Sequence, residues 1–234
     1  MPTLYLIPAP IAEDALQSIP LQTADVARGL EVFIAERAKT ARHYIKALGP
    51  QKPLQELLVA EIPQDGTLGE AGTVFLDAIR AGKDVGLLSE AGCPGVADPG
   101  AALVALAHKE GARVVPLVGP SSLLLALMAS GMNGQQFAFH GYLSPKRAEL
   151  AQDLRRLEQL VQRQHQTQLF IETPYRSQMV LDVALDSLQP DTRFCITQDL
   201  TGADEFIRSL PIRDWRKLPP LALKKLPAVF LVGK

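Results

Sequence analysis

Ser89-Glu-Ala-Gly-Cys-Pro-Gly-Val-Ala-Asp-Pro-Gly100 is the stretch on which the fold of this chain turns. It follows residues 84–89, a short apolar run without alternation, the pattern of a strand buried on both faces of a parallel sheet. It leads into residues 101–110, a helical segment closed by Gly111. Small residues at the carboxyl end of such a strand let backbone N–H and C=O groups come close to a ligand, and Pro94 and Pro99 stiffen the loop. The same residues also make a tight strand–helix connection with Asp98 as the helix cap. The loop alone leaves both readings open.

Working outward, short apolar runs alternate with longer helical patterns, which predicts an α/β fold. Residues 3–7 read as a first strand entering the turn Pro8-Ala-Pro10, and 30–48 as a helix stopped by Gly49-Pro50. A short strand is expected within 54–62, a helix over 69–81 and a strand over 113–118. Gly119-Pro-Ser-Ser122 then opens a helix over 123–130 that is apolar on nearly every side. That pattern predicts burial on every side, where two domains meet. A second set of elements begins near Phe137. Residues 145–164 carry Leu150, Leu154, Leu157 and Val161 at helical spacing. Strands are expected at 168–172, 192–198 and 227–232, with a helix over 175–188, and the last strand should complete a sheet. The expected domains are 1–116 and 117–234.

Composition narrows the class. Hydrophobic residues make up 47 % and charged residues 21 % of the 234, enough apolar material for a real core. The longest strongly apolar run, 123–132, is far below the roughly 18 residues of a membrane span, and Met1-Pro-Thr-Leu-Tyr-Leu-Ile has no basic leader character. Cys93 and Cys195 lie outside any CxxC pattern, which fits a reducing cytoplasm and no structural zinc. The four histidines show no metal spacing, so no metal is expected. A net charge of −1 argues against a globally basic nucleic-acid binder. Locally, however, Arg28, Arg37, Lys39, Arg42 and Lys46 outnumber Glu31 and Glu36, either as a solvated helix face or as an RNA contact.

Common nucleotide fingerprints are missing: there is no GxGxxG after the first strand and no GxxxxGK[ST]. Ser121 or Ser122 can cap the helix that follows or present its N-terminal N–H groups to a polar ligand. Cys93 has no His near it in sequence to activate it as a nucleophile. Glu172 ends an apolar strand, where a carboxylate is either paired or faces a cleft.

Taken in order, these segments resemble the tetrapyrrole methylase family of S-adenosylmethionine-dependent methyltransferases, along nearly the whole chain. Within it they are closest to the branch that methylates cytidine 2′-oxygens of small-subunit ribosomal RNA. Leu4-Tyr-Leu-Ile7 with Pro8-Ala-Pro-Ile11 is similar to the family's opening strand and loop. Ala35-Glu-Arg-Ala-Lys-Thr-Ala-Arg42 resembles the branch's AEDTRxTR segment, Ser89 to Gly100 its SDAGTPxISDPG, and Val118-Gly-Pro-Ser-Ser122 its PGPSA. Phe139-His-Gly-Tyr-Leu143 resembles FxGFLP, Leu169-Phe-Ile-Glu-Thr-Pro-Tyr-Arg176 FYESPHR, Asp199-Leu-Thr201 RELT, and Pro227-Ala-Val-Phe-Leu-Val-Gly233 the closing strand.

The resemblance implies two α/β domains with S-adenosylmethionine held in the cleft between them, and usually a homodimer. Carried over by position, it implies donor contacts at Pro10, Ala91, Gly92, Cys93, Val96, Ser121, Ser122, Glu172, Thr201, Pro227 and Ala228. It implies substrate contacts at Lys39 and Arg42, with ribosomal RNA or the small subunit as partner. The acceptor side departs from the branch. Arg37, Ala38 and Lys39 replace its acid, threonine and arginine, Pro8-Ala-Pro10 replaces a glycine-containing loop, no HxxN-type segment is readable in 57–67, and no C-terminal extension follows Lys234. An oxygen acceptor benefits from a general base, for which Glu36 and Glu172 are the candidates. The competing functions are a methyltransferase of tetrapyrroles or other small molecules and a non-catalytic S-adenosylmethionine-binding protein.

Overall fold

A computed structural model describes residues 1–63, 65 and 67–234, so the 57–67 stretch is described except at positions 64 and 66. The chain divides into two compact units, Met1–Ser121 and Ser122–Lys234. Both are of α/β type, as the alternation of apolar runs predicts.

Among the described residues the first unit holds five strands: β1 (Thr3–Ile7), β2 (Val32–Ala35), β3 (Leu58–Glu61), β4 (Val85–Leu88) and β5 (Arg113–Pro116). They form one sheet in the order β3-β2-β4-β1-β5, every pair parallel. Helices α1 (Leu21–Gly29), α2 (Ala38–Leu48), α3 (Gly69–Arg80) and α4 (Ala101–Lys109) alternate with the strands. Two apolar clusters flank the sheet. Leu4, Val32, Ile34, Val85 and Leu87 pack with Ala71, Phe75, Leu103 and Ala107, whereas Ile7, Phe33, Ala35 and Leu88 pack with Ala24, Ala27, Ala41 and Ile45.

Residues 30–48 are therefore not one helix. Val32-Phe-Ile-Ala35 is wholly buried and sends alternate side chains into opposite clusters, the period of a strand. A strand covered on both faces shows a continuous apolar run, which periodicity alone cannot separate from a buried helix. The helix begins only at Ala38 and ends as expected at Gly49, whose φ of 78° suits a left-handed cap. α1 carries Leu21, Ala24, Val26 and Ala27 on nine residues, a short stripe that does not mark it out as a helix.

The second unit opens with α5 (Ser122–Ser130) and contains β6 (Phe137–Tyr142), α6 (Arg147–Gln164), β7 (Thr167–Glu172), α7 (Ser177–Ser187), β8 (Arg193–Gln198), β9 (Phe206–Pro211), α8 (Ile212–Trp215) and β10 (Ala228–Gly233). Its sheet runs β6-β7-β10-β8-β9. β6 and β7 are parallel and the other neighbours antiparallel. The last strand, β10, thus lies at the centre. The α6 stripe of Leu150, Leu154, Leu157 and Val161 is buried as the spacing predicts, in a cluster with Phe170, Phe194 and Phe230.

The apolar helix α5 departs from expectation. Ala126, Leu127 and Ser130 face inward, but Leu124 and Met128 are 51 % and 78 % exposed, so it is not buried on every side. The side packed against β8, β9 and β10 carries Ala126, Leu127 and Ser130.

Phe230 of β10 stacks on Phe170 of β7 at 5.2 Å and on Phe194 of β8 at 5.8 Å between ring centroids. Phe230→Ala is expected to lower unfolding free energy by about 3–5 kcal/mol in a urea titration; a loss below about 1 kcal/mol would contradict a tightly packed centre.

Candidate functional site

In a parallel sheet the loops leaving the strands' carboxyl ends share one edge, where open α/β sheets place their ligands. In the first unit the loops after β1, β4 and β5 are tied to one another. Ala9 and Gly92 exchange two backbone hydrogen bonds, 2.9 Å from Ala9 N–H to the Gly92 carbonyl and 3.0 Å in return. Gly92 sits at φ 75°, a conformation costly for other residues. Ser89 Oγ donates to the same Gly92 carbonyl at 2.6 Å, and the Cys93 thiol to the Pro120 carbonyl at 3.4 Å. Gly119 lies so close to Pro8 that a Cβ there would come within 2.4 Å of the proline Cβ. Pro10, Ala91, Gly92, Cys93 and Ser121, predicted from separate segments, thus belong to loops joined in a single knot, with Ser122 opening α5 immediately afterwards.

Within this knot the first long loop does not use Asp98 as a cap. Gly100 is the N-cap of α4 and receives no side-chain cap bond. Asp98 Oδ2 is instead buried without a donor among the described residues. Burial first, then the nearby charge of Glu36 and that of Glu90, push the Asp98 carboxyl up from 3.8 to about 7. Glu36 follows β2 directly and Asp98 follows β4, adjacent strands paired Ala35 to Leu88. A poorly solvated carboxyl near other carboxylates favours its neutral form. Sequence reasoning found Glu36 but missed Asp98, whose cap-like position concealed its closeness to Glu36.

Cys93 is held as a thiol, its pKa raised by burial, the wrong direction for a nucleophile. Val96 stands 49 % exposed in the same loop, an apolar surface beside the carboxylates' loop. Among the described residues no group of three or more His, Cys, Asp or Glu side chains is placed to hold a metal ion.

α2 begins two residues after Glu36. Ala41, Ile45 and Leu48 are its buried side, while Lys39, Arg42 and Lys46 are exposed. Among the described residues none of these three, nor Arg37, is in an ion pair. Arg28 by contrast is bound to Asp25 at 2.5 Å and to the Leu48 carbonyl, and Glu31 is bound to Lys52 and Lys83. The unpaired positive charge of this region therefore lies on α2.

In the second unit, Glu172 at the end of β7 is paired with Ala228, the first residue of β10, and Ala228 with Gln198, the last of β8. Gln198 Nε2 donates to the Lys224 and Leu226 carbonyls, both at 3.0 Å, fixing the approach to Pro227. Thr201 lies in the turn after β8 at φ 72°, and its Oγ1 is buried without a partner among the described residues. Glu172, Thr201, Pro227 and Ala228 therefore share one end of this sheet. Glu172 is 2 % exposed. Its Oε1 accepts from Thr173 N–H at 2.7 Å and from Thr173 Oγ, and Oε2 lies 2.8 Å from Arg176 Nη2. Arg176 also donates to the Ser144 carbonyl at 2.9 Å. Oε1 is hydrogen-bonded, whereas Oε2 is held by the ion pair with Arg176 but accepts no hydrogen bond among the described residues.

A family model described as Tetrapyrrole (Corrin/Porphyrin) Methylases matches residues 3–215. The chain is 32 % identical to "Ribosomal RNA small subunit methyltransferase I" of Mesorhizobium japonicum, over 91 % of this chain and 68 % of that protein. It is also 32 % identical to the protein of the same name in Pseudomonas aeruginosa, over 91 % and 72 %. The Bacillus subtilis protein of that name is 29 % identical over 89 % and 67 %. Among solved structures, the methyltransferase CobJ superposes with a TM-score of 0.61 at 19 % identity, covering 99 % of this chain and 93 % of that one. Uroporphyrin-III-C-methyltransferase from Thermus thermophilus gives 0.56 at 17 % identity, covering 100 % and 92 %. At these identities the two structures establish a shared fold.

Asp98 also sets a pH dependence. Its carboxyl titrates at about 7 in the fold and at about 4 when unfolded. Between those values the folded chain binds the extra proton, so stability falls as pH rises from about 4 to about 7 and stays at the lower level above. Asp98→Asn should abolish this slope, melting above wild type at about pH 8 and level with it near pH 4. Equal melting temperatures at pH 8 would show that the carboxylate is not penalised where it stands.

Proposed function

Because the chain belongs to the tetrapyrrole (corrin/porphyrin) methylase family, we propose that it is an S-adenosylmethionine-dependent methyltransferase acting on a ribose 2′-hydroxyl of ribosomal RNA. One observation carries the choice of acceptor. The relatives matched over nine tenths of the chain at 32 % identity bear the name of a small-subunit ribosomal RNA methyltransferase, whereas the tetrapyrrole enzyme matched among structures shares the fold at 17 %.

The residues present suit the donor. Knotted loops of small residues offer Pro10, Ala91, Gly92, Cys93, Ser121 and Ser122 for backbone contact, and Val96 gives an apolar surface for the adenine. On the second unit the candidate contacts are Thr201, with its unpartnered buried hydroxyl, and Glu172, Pro227 and Ala228. Bound S-adenosylmethionine supplies a methyl group already activated by the sulfonium. What remains for the chain is to hold acceptor and donor in line and to accept a proton. Glu36 is the proposed base, and the Asp98 carboxyl near it, which titrates at about 7, can take up and release a proton at physiological pH. Glu172 instead supports the donor wall through Arg176. Lys39 and Arg42 are the proposed RNA phosphate contacts.

We further propose a homodimer, supported by Met128, an apolar side chain 78 % exposed on α5. A cytoplasmic setting fits two free cysteines and the absence, among the described residues, of a helix long and apolar enough to cross a membrane.

With methyl-labelled donor, the purified protein is expected to label ribosomal RNA or small subunits from a strain lacking its gene, and to leave wild-type subunits unlabelled. Arg42→Ala should abolish most of this activity, and Lys39→Ala should weaken RNA binding about three- to tenfold near 0.1 M salt. Both should leave stability within about 0.5 kcal/mol because the side chains are exposed. Unlabelled RNA and subunits alongside tight donor binding would move the assignment to a small-molecule acceptor or to donor binding without transfer.

A further inference from the structure

Tyr44 occupies α2 on the side away from its exposed cations. Its ring packs against the cluster of Ile7, Phe33, Ile45 and Leu88, and its hydroxyl donates to the Pro8 carbonyl at 2.8 Å. Pro8 is the first residue after β1. Its ring fills the space beside Gly119, and Ala9, next in sequence, makes the paired hydrogen bonds to Gly92. One hydroxyl thus fixes the residue from which the β1 loop reaches both of the other loops. Across the sheet edge, Thr23 of α1 donates to the Val118 carbonyl at 2.6 Å, so each end of the knot is held by a helix side chain.

We infer that Tyr44 is a positioning residue for the methyl donor, its hydroxyl holding the loop after β1 in the shape that the Ala9–Gly92 pairing and donor contact require. The inference rests on the donor-binding function proposed above. Burial keeps the phenol protonated by raising its pKa above the ordinary range, so it remains a hydrogen-bond donor throughout the working pH range. A carbonyl at the mouth of a loop has alternatives to a protein donor, chiefly water, but water does not fix its direction. The loss expected without the hydroxyl is therefore one of loop order rather than of fold. α2 then serves two functions from opposite sides: Lys39 and Arg42 face the acceptor, and Tyr44 supports the donor loop.

The experiment is calorimetric titration of the full chain with S-adenosylmethionine, for wild type, Tyr44→Phe, and a variant carrying 4-aminophenylalanine at position 44, which keeps a donor at the para position. Tyr44→Phe should weaken donor binding about five- to tenfold, in line with the loss of one buried hydrogen bond. It should leave RNA affinity unchanged and speed hydrogen exchange at the Ala9 and Gly92 amides, while 4-aminophenylalanine restores binding. A merely structural tyrosine would change melting temperature without this split between donor and RNA. Equal donor affinity in Tyr44→Phe and wild type overturns the inference, as does unchanged amide exchange. Failure of wild type itself to bind the donor would overturn the donor function instead. Should Tyr44→Phe not fold, failure of the 4-aminophenylalanine chain to bind like wild type overturns the inference.

Discussion

Two backbone hydrogen bonds, between Ala9 and Gly92, organise the candidate site of the first unit. They arise from a general constraint. Strands of four or five residues buried on both faces end abruptly at the sheet edge, and the polar backbone groups just beyond must find partners. Here the loop after β1 and the loop after β4 satisfy one another, as a short antiparallel bridge laid across the ends of a parallel sheet. The left-handed backbone of Gly92 makes the bridge sterically possible, and Gly119 permits the third loop to close on Pro8. A ligand cradle built this way is stiff before anything binds, which reduces the ordering cost of binding.

The second unit meets a different constraint. Its central strand is the last to leave the chain, and β7 and β8 become neighbours only through β10. The stacked rings of Phe170, Phe230 and Phe194 run across that junction. Gln198 ties down the segment preceding the strand. Everything at that end of the sheet, including Glu172, Thr201 and Ala228, therefore depends on correct seating of β10. Arg176 adds a cross-brace from β7 to the turn after β6 by linking Glu172 to Ser144.

Much of this was legible from residues alone. The loop from Ser89 to Gly100 carried its own glycines and prolines, the stripe on α6 kept its helical period, and the order of short segments matched a known family. What escaped did so for physical reasons. Val32 to Ala35 lost its strand signature because both faces are covered, so no polar residue marks the alternation. α5 looked buried because composition reports what a helix carries, not which of its sides has a neighbour. Asp98 looked like a cap because it precedes a helix, yet its carboxyl is buried near the charge of Glu36, which follows another strand. Such proximity across the sheet is invisible in local spacing. Tyr44 left no signal, since an apolar helix face accepts a tyrosine as readily as a leucine until the hydroxyl's partner is seen.

The charge distribution extends the same lesson. A cationic donor and a polyanionic acceptor make opposite electrostatic demands on one protein. Uniform charge of either sign would serve one and repel the other. Along 36–46 the chain passes from Glu36 at a strand end to Lys39, Arg42 and Lys46 on an exposed helix face. Glu36, Glu90 and Asp98 lie in the partly buried loop region, where a carboxylate field is little screened. The cations stand in solvent, where their field reaches only about 8–10 Å at ordinary ionic strength. The two fields can therefore coexist with little mutual cancellation. A net charge of −1 is then what remains when opposite local requirements are met side by side, and it carries no information against an RNA substrate.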